Sequence, residues 1–129
     1  MLDGKKILVV DDDITLLEMY IERIKAEGAT VSQAADGEEA LEIVAKDKPE
    51  VILLDVMMPK MNGFDCLKRL KEDAATADIP VIILTALNDD AKRDEGFKLG
   101  AIDYIVKADT LPIDVVRKVQ MAVEKKAAK

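Results

Sequence analysis

The sequence predicts an α/β fold in which a parallel sheet is covered by helices on both faces. Three short apolar runs, residues 7–10, 51–54 and 81–84, are rich in β-branched side chains and show no polar alternation, which is typical of strands buried on both faces. Weaker runs lie at residues 30–34 and 104–106. Segments with helical spacing separate the runs, and such alternation favours parallel pairing with right-handed crossovers. The predicted class is a doubly wound, flavodoxin-like (βα)5 domain with a five-stranded sheet in the order 2-1-3-4-5.

The helices are predicted from apolar residues that recur at helical spacing. The fourth helix, over residues 89–99, is the least amphipathic, since only Ala91, Phe97 and Leu99 are clearly apolar, and we expect it to pack loosely. The other stripes are Leu17, Tyr20, Ile21 and Ile24 in the first helix, Ala40, Leu41, Ile43 and Val44 in the second, Phe64, Leu67 and Leu70 in the third, and Val116, Val119 and Val123 in the fifth.

The residues between these segments agree with the predicted boundaries. Gly28 and Gly100 stand where a left-handed C-terminal cap is expected. Asp36 and Glu39 resemble a capping box for the second helix. The remaining boundary residues are Asn88 and Thr110, predicted N-caps of the fourth and fifth helices, and Pro49 and Pro80, which precede strands.

The composition excludes several classes of function. The chain has 129 residues, the size of one domain, so residues 1–129 are expected to form a single domain. Its 26 acidic and 19 basic residues give a net charge of −7, which argues against direct binding to a nucleic-acid backbone. The absence of histidine excludes a serine–histidine–aspartate triad and a histidine metal site. The single Cys66 fits a reducing compartment and no apolar run is long enough to span a bilayer, so we expect a cytoplasmic protein with no membrane partner.

Polar residues follow four of the five predicted strands. Asp11 and Asp12 follow the first strand, Asp55 the third, Thr85 the fourth and Lys107 the fifth. Because the carboxyl ends of parallel strands meet at one edge of the sheet, where such folds bind their ligands, these side chains are expected to converge there.

Converging carboxylates repel one another unless a cation lies between them. Oxygen ligands in an open site suit Mg²⁺, which often binds together with a phosphate. Three aspartates are balanced by one Mg²⁺ and Lys107, so the site is neutral until a phosphoryl group arrives. A carboxylate beside Mg²⁺ can act as a nucleophile and form an aspartyl phosphate, a reaction that needs positioning and charge neutralisation and no general base.

Each of these residues also has a simpler interpretation. Asp11 and Asp12 suit a turn or a helix N-cap, and Asp13 is better explained as an N-cap or a solvated neighbour than as a ligand. Asp55 suits the start of a turn, and Lys107 alone suits a solvated surface. Thr85 is a residue type favoured in strands. Their joint occurrence at the ends of four strands favours a site.

Several of these segments together resemble the receiver domain of bacterial two-component response regulators, of the stand-alone type that is similar to chemotaxis regulators. The resemblance covers nearly the whole chain, from Lys5 to about Val123. The segments that carry it are ILVVDD at residues 7–12, ADG at 35–37, LLDVMMP at 53–59, MNG at 61–63, ILTA at 83–86 and GAIDYIVK at 100–107.

The resemblance implies a role for each residue of the site. Asp55 is the expected phosphoacceptor, with a histidine kinase or a phosphotransfer protein as the donor. Asp12 and Asp55 are expected to bind Mg²⁺ directly, together with the backbone carbonyl of Met57, while Asp11 holds the ion through water. Lys107 is expected to pair with a phosphoryl oxygen.

The resemblance further implies a switch. Thr85 would bond the phosphoryl group and Tyr104 would turn inward behind it, whereas without the resemblance Tyr104 is a half-buried strand aromatic. The altered surface of the fourth helix, fifth strand and fifth helix would then bind a downstream protein. Such a domain catalyses its own phosphorylation and dephosphorylation in part, but its output is binding and it is not an enzyme.

Two features depart from the usual pattern or tune it. The family usually has a proline after the lysine, often with a cis peptide bond, and here Ala108 follows Lys107. We predict a trans bond, or else a visibly strained one, because a cis bond before a residue other than proline costs about 2.5–4 kcal/mol. Met57 and Leu87 occupy the positions that the resemblance places beside the path of the hydrolytic water. Neither side chain can orient a water, so we predict a long-lived phosphorylated state.

Two other functions remain open at this point. The chain could be a receiver-like scaffold that binds partners without phosphorylation, or the receiver part of a longer regulator with an output domain. Mg²⁺-dependent uptake of phosphate separates the first from a switch, and the full reading frame settles the second.

Overall fold

The structure, a computed structural model, describes residues 2–127, apart from the side chains of Ile14, Leu16, Leu17 and Ala127. The predicted stripe residue Leu17 therefore lies outside the described side chains. The strands are β1 (Lys6–Val10), β2 (Thr30–Ala34), β3 (Val51–Leu54), β4 (Val81–Thr85) and β5 (Asp103–Val106). The helices are α1 (Ile14–Ala26), α2 (Gly37–Asp47), α3 (Gly63–Glu72), α4 (Asp90–Lys98) and α5 (Pro112–Ala127), with a short 3₁₀ turn at Lys107–Asp109.

The five strands form one parallel sheet in the order β2-β1-β3-β4-β5, which confirms the predicted topology. The register brings the strand ends together, since Val10 lies opposite Leu54 and Thr85 lies opposite Val106. Asp11, Asp55 and Lys107 therefore follow their strands at one edge of the sheet, near the point where the strand order reverses. Thr85 lies at the same edge but is the last residue of β4 and does not follow it.

Apolar side chains cover both faces of the sheet, as the uninterrupted runs predicted. On β1, Leu8 and Val10 pack into a cluster with α2 and α3, while Ile7 and Val9 pack into a second cluster with α1 and α5. Every residue of β3 is buried. Burial on both faces explains why β-branched and leucine side chains fill these strands without alternation.

Helix α4 is held mainly by one close approach to the sheet. Gly96 is its only buried residue, and a Cβ atom at this position would lie 2.6 Å from Cδ1 of Ile83. The weak apolar stripe of α4 predicted loose packing, and the structure agrees, because Ala91 and Phe97 of that stripe are exposed.

Three of the predicted caps are confirmed. Gly28 and Gly100 adopt φ values of +95° and +109°, the left-handed conformation that glycine tolerates at a helix C-terminus. The carboxylate of Asp36 accepts a hydrogen bond of 2.9 Å from the backbone N–H of Glu39. The carboxylate of Glu39 in turn accepts from the N–H of Ala35, at 3.2 Å, one residue before the position that an ideal capping box uses.

Two predicted caps are wrong. The N-cap of α4 is Asp89, whose carboxylate accepts from the N–H of Lys92 at 3.1 Å, and Asn88 precedes it outside the helix. Thr110 ends the 3₁₀ turn and does not cap α5, because that helix begins only at Pro112. A proline suits the first helical position, where its missing N–H would have no partner within the helix.

Among residues 2–127, none of the helices combines the length and the apolar character that crossing a membrane would require.

Candidate functional site

Three carboxylates meet at the carboxyl edge of the sheet. Asp11 and Asp12 follow β1, and Asp55 follows β3. One carboxylate oxygen from each residue lies within 4.8 Å of the others. Asp11 is 1% exposed and Asp55 is 7% exposed, whereas Asp12 is exposed to solvent. The predicted convergence of these three residues is therefore found, with Asp12 on the open side.

Lys107 supplies the positive charge of the cluster. It follows β5, and its Nζ lies 2.5 Å from Oδ2 of Asp11 and 3.6 Å from Oδ2 of Asp55. Burial of the ammonium lowers its pKa, but the hydrogen bond to Asp11 and the charges of both aspartates outweigh burial, so the pKa of Lys107 is raised. The lysine is therefore charged at neutral pH and is fixed between two carboxylates.

Burial has the opposite effect on the first aspartate. Burial of its carboxyl group raises the pKa of Asp11, and the hydrogen bonds from Lys107 and from the N–H of Asp13 offset this only in part. The N–H of Asp13 donates to Oδ1 of Asp11 at 2.8 Å. An additional cation beside Asp11 would stabilise its ionised form.

The two oxygens of Asp55 have different surroundings. Oδ1 accepts hydrogen bonds from the backbone N–H groups of Val56, at 2.7 Å, and Met57, at 3.4 Å. Oδ2 faces Lys107. The loop that carries Asp55 is held by Gly63, whose N–H donates to the carbonyl of Val56 at 2.9 Å. A Cβ atom on Gly63 would lie 2.1 Å from the backbone oxygen of Asp55, so this approach requires glycine.

Thr85 and Tyr104 are linked through the backbone of one residue. The N–H of Leu87 donates to the hydroxyl oxygen of Thr85 at 3.3 Å, and the carbonyl of Leu87 accepts from the hydroxyl of Tyr104 at 2.9 Å. Thr85 is 0% exposed and Tyr104 is 3% exposed. Tyr104 is therefore buried and already points inward, so its description as a half-buried strand aromatic is wrong, and burial raises its pKa.

The two residues predicted to shield the phosphoryl group differ in exposure. The side chain of Met57 is 63% exposed, beside Asp55 in the chain. The side chain of Leu87 is partly buried and packs against the core cluster on the α2 and α3 side of the sheet. Their effect on hydrolysis stays a prediction.

The peptide bond between Lys107 and Ala108 is trans, as predicted. The chain continues from Lys107 into the 3₁₀ turn that ends at Asp109. The lysine therefore reaches Asp11 and Asp55 without the cis proline that usually follows it in the resembling family.

Sequence reasoning missed three contributions to the site. The tight approach of Gly63 to Asp55 could have been sought in the Asn62-Gly63 pair, a common turn signal. The hydrogen bonds of the Leu87 backbone left no signal, because every residue except proline carries the same N–H and C=O groups. Arg93 was also missed, and its guanidinium carbon lies 5.2 Å from the centre of the Tyr104 ring.

The donor set fits a hard divalent cation. All three converging groups are carboxylates, the type of ligand that Mg²⁺ prefers, and the exposed Asp12 leaves the cluster open to solvent. The single lysine does not neutralise three carboxylates, so a bound divalent cation would remove the remaining repulsion.

The comparisons with known proteins agree with this geometry. Residues 7–116 match the family model described as the response regulator receiver domain. The chain is 47% identical over 106 residues to a probable transcriptional regulator, ycf27, of Cyanophora paradoxa, covering 82% of this chain and 43% of that protein. It is 44% identical over 111 residues to the response regulator PleD of Caulobacter vibrioides, covering 86% of this chain and 24% of that protein.

A solved structure shows the same fold. The receiver domain of the Francisella response regulator 1452 is 31% identical, with a TM-score of 0.86, and the match covers 95% of this chain and 98% of that one. The chain spans about two fifths of the length of the curated relatives of the ycf27 type. Receiver domains bind Mg²⁺ at an acidic pocket, and the aspartate cluster has the residues of such a pocket. The matched residues, the sheet order and the aspartate cluster lead to one conclusion: this chain belongs to the response regulator receiver domain family.

Proposed function

We propose that this receiver domain is a switch controlled by phosphorylation of Asp55. The observation that carries the proposal is the position of Lys107, whose ammonium lies between Asp11 and Asp55 while one oxygen of Asp55 is held by backbone N–H groups. This arrangement fixes one carboxylate oxygen and presents the other to a cation that can pair with an incoming anion.

The proposed reaction transfers a phosphoryl group from a phosphohistidine. Oδ2 of Asp55 forms a bond to phosphorus while the bond from phosphorus to the imidazole nitrogen of the donor breaks. The donor imidazole then takes up a proton from solvent, so no general base is needed on this chain. Lys107 pairs with a phosphoryl oxygen in the product, and the donor is a histidine kinase or a phosphotransfer protein.

The residues that would hold Mg²⁺ are Asp12 and Asp55 directly, the backbone carbonyl of Met57, and Asp11 through water. The ion would supply positive charge to the carboxylates and to the phosphoryl oxygens. In this proposal, Asp11 and Asp12 lower the cost of bringing an anion to Asp55 only when the ion is bound.

Thr85 and Tyr104 are the proposed switch residues. Both form hydrogen bonds with the backbone of Leu87. A movement of the Thr85 hydroxyl toward a phosphoryl oxygen would remove the hydrogen bond from the N–H of Leu87 and favour a new position of the loop before α4. The surface of α4, β5 and α5 would then change its affinity for a downstream protein.

The proposal treats residues 1–129 as one receiver domain of a cytoplasmic protein that binds no nucleic acid itself. The curated relatives are longer, and two of the matching names describe transcriptional regulators, so an output domain in a longer regulator is compatible with the same switch. The domain acts by binding, with phosphoryl transfer and dephosphorylation as its own partial chemistry.

The test is phosphorylation by a small donor such as acetyl phosphate, followed by the intact mass. The wild-type chain is expected to gain one phosphoryl group with Mg²⁺ present and none with the chelator EDTA. Asp55→Asn is expected to gain none, whereas Asp65→Asn, an exposed residue in the first turn of α3, should behave as wild type. Incorporation by Asp55→Asn at the wild-type level would remove Asp55 from its proposed role.

A further inference from the structure

A groove at the amino ends of β4 and β5 combines apolar and cationic side chains. Asp55 lies at the other end of the strands, after the carboxyl end of β3. The groove has a volume of about 690 Å³ and lies between the end of α3, the loop before β4, the starts of β4 and β5, and the second half of α5. Residues of β4 span about 13 Å at roughly 3.3 Å per residue, so the groove is well separated from the phosphorylation site. Its β5 and α5 walls belong to the α4, β5 and α5 surface, whereas its α3 wall, the loop before β4 and the start of β4 lie outside that surface.

The groove is a local exception to the charge of the chain. Its lining contains Lys71, Lys118, Lys125 and Lys126 against only two acidic residues, Asp78 and Asp103, although the chain as a whole has a net charge of −7. Lys118 is paired with Asp103 at 2.7 Å. Lys125 and Lys126 are exposed at the C-terminal end of α5.

Lys71 is built into the wall of the groove. Its ammonium donates to the carbonyls of Ala77, at 2.9 Å, and Ile79, at 2.8 Å. Two hydrogen bonds hold the cation in one place, beside the charge of Asp78, and they use two of the three donors of the ammonium. A positioned cation costs less entropy on binding than a freely moving surface lysine.

The apolar part of the groove is open to solvent. Ile102 is 48% exposed and Met121 is 59% exposed, and the buried side chains of Ile82 and Ala122 lie in the same lining. A flexible methionine can adapt to different apolar partners. The groove therefore offers an apolar surface beside a set of lysines, and a matching ligand has apolar groups beside carboxylates.

We propose that this groove docks a short acidic, amphipathic segment of a partner protein. A volume of this size accommodates a few side chains. A nucleic acid is disfavoured, because the chain as a whole has a net charge of −7, which opposes a continuous phosphate backbone that extends beyond the groove. The site goes beyond the proposed phosphorylation switch and does not depend on it.

The test is a titration of the ¹⁵N-labelled full chain with three short peptides, followed by amide chemical shifts. All three carry the same leucine and phenylalanine residues, and their polar positions are glutamate, glutamine or lysine. We expect the glutamate peptide to shift amides of Ile102, Met121 and Lys125, the glutamine peptide to bind at least several-fold more weakly, and the lysine peptide not to bind. A short oligothymidylate is the nucleic-acid probe.

Matched charge reversals locate the effect. Lys125→Glu with Lys126→Glu is expected to weaken the glutamate peptide about tenfold or more. Lys46→Glu with Lys68→Glu, which reverses two exposed lysines on α2 and α3, should bind as wild type. The proposal is overturned if the glutamate peptide shifts no groove amides, if both double variants weaken it equally, or if the oligothymidylate binds the groove at least as tightly.

Discussion

The two carboxylate oxygens of Asp55 have different roles in this account. Two backbone N–H groups hold Oδ1, while Oδ2 faces the ammonium of Lys107. The held oxygen fixes the side-chain rotamer, and the other oxygen keeps a free lone pair for a reaction. Pre-organisation of this kind lowers the cost of reaching the transition state.

Replacing Met57 and Leu87, which the resemblance places beside the path of the hydrolytic water, is expected to speed dephosphorylation. Met57→Asn combined with Leu87→Glu introduces groups that can bond and orient a water, which the native side chains cannot do. We expect the double variant to release phosphate about tenfold faster or more, measured with a phosphate-release assay after acetyl phosphate is removed.

The control for this experiment is Leu111→Glu with Met121→Asn, two exposed apolar residues just before and within α5. Its release rate should equal that of wild type. If Met57→Asn with Leu87→Glu releases phosphate no faster than wild type, then these residues do not shield the bond to phosphorus.

Ionisation of the Cys66 thiol is expected to lower the free energy of unfolding at alkaline pH. Burial raises the pKa of its thiol from 9.0 to about 12, so the folded protein keeps a proton that the unfolded chain loses above pH 9. The contribution to stability is therefore present below pH 9 and is lost as pH rises from 9 toward 12, by about 1.4 kcal/mol per pH unit.

The comparison variant is Cys66→Ala, which removes the titration but also a buried side chain. Denaturant unfolding of both proteins between pH 8 and 11 gives the difference in their free energies of unfolding. The advantage of wild type should shrink above pH 9, and a difference that stays constant across this range would refute the predicted shift.

At the scale of elements, α4 is the helix most easily displaced. Apart from the close contact at Gly96, two cations lie over core aromatic rings, with Lys92 5.7 Å from the centre of Phe64 and Arg93 5.2 Å from that of Tyr104. Tyr104 also donates a hydrogen bond to the carbonyl of Leu87. The contact of Arg93 with the ring therefore couples the position of α4 to the inward orientation of Tyr104.

Arg93→Ala is therefore expected to loosen α4 and to change the environment of Tyr104. Cation–π contacts contribute about 0.5–1 kcal/mol at exposed sites, so amide exchange in α4 should rise two- to five-fold and the ring resonances of Tyr104 should shift. Arg93→Lys should restore much of the native behaviour. Arg117→Ala, which removes a surface pair with Asp114, is the control and should leave both measurements unchanged.

The elements could be predicted from the sequence wherever one physical cause dominates. Burial on both faces identified the central strands β1, β3 and β4, whereas the edge strand β2 is mostly exposed or half-buried. The weak stripe of α4 corresponds to a helix with one buried residue. The N-cap of α4 was predicted wrongly, because Asn88 and Asp89 are both good N-cap residues and the path of the chain decides which of them is used. The N-cap of α5 was predicted wrongly, because Thr110 ends the 3₁₀ turn and the helix begins only at Pro112.

The candidate site was predictable to a similar extent. The carboxylates and Lys107 could be placed because strand ends must share an edge of a parallel sheet. The bonds of Val56 and Leu87 could not, because they use backbone groups that all residue types share. The contact between Arg93 and Tyr104 depends on the rotation of α4 about its axis, which a helix with so weak a stripe does not specify.

At the scale of the molecule, the unbalanced carboxylates are expected to make the free energy of unfolding depend on divalent cations. Mg²⁺ that binds the folded chain stabilises it by about 1.4 kcal/mol at roughly ten times the dissociation constant. We expect the midpoint of thermal unfolding to rise with Mg²⁺ and to rise much less in Asp12→Asn, since Asp12 is one of the three converging ligands.

This measurement is made at constant ionic strength, so that screening does not imitate binding. Asp94→Asn removes the same charge from an exposed position on α4 and should keep the full effect of Mg²⁺. An equal effect in wild type and Asp12→Asn would show that the aspartate cluster is not where the ion binds.

The most direct test of the central claim is ¹⁹F NMR of the chain with beryllofluoride, which mimics a phosphoryl group. Resonances of bound beryllofluoride are expected in the wild-type chain only when Mg²⁺ is present, and they should be absent in Asp55→Asn under the same conditions. Bound resonances in Asp55→Asn, or in wild type with EDTA, would contradict the claim that Asp55 receives the group within a cation-neutralised aspartate cluster.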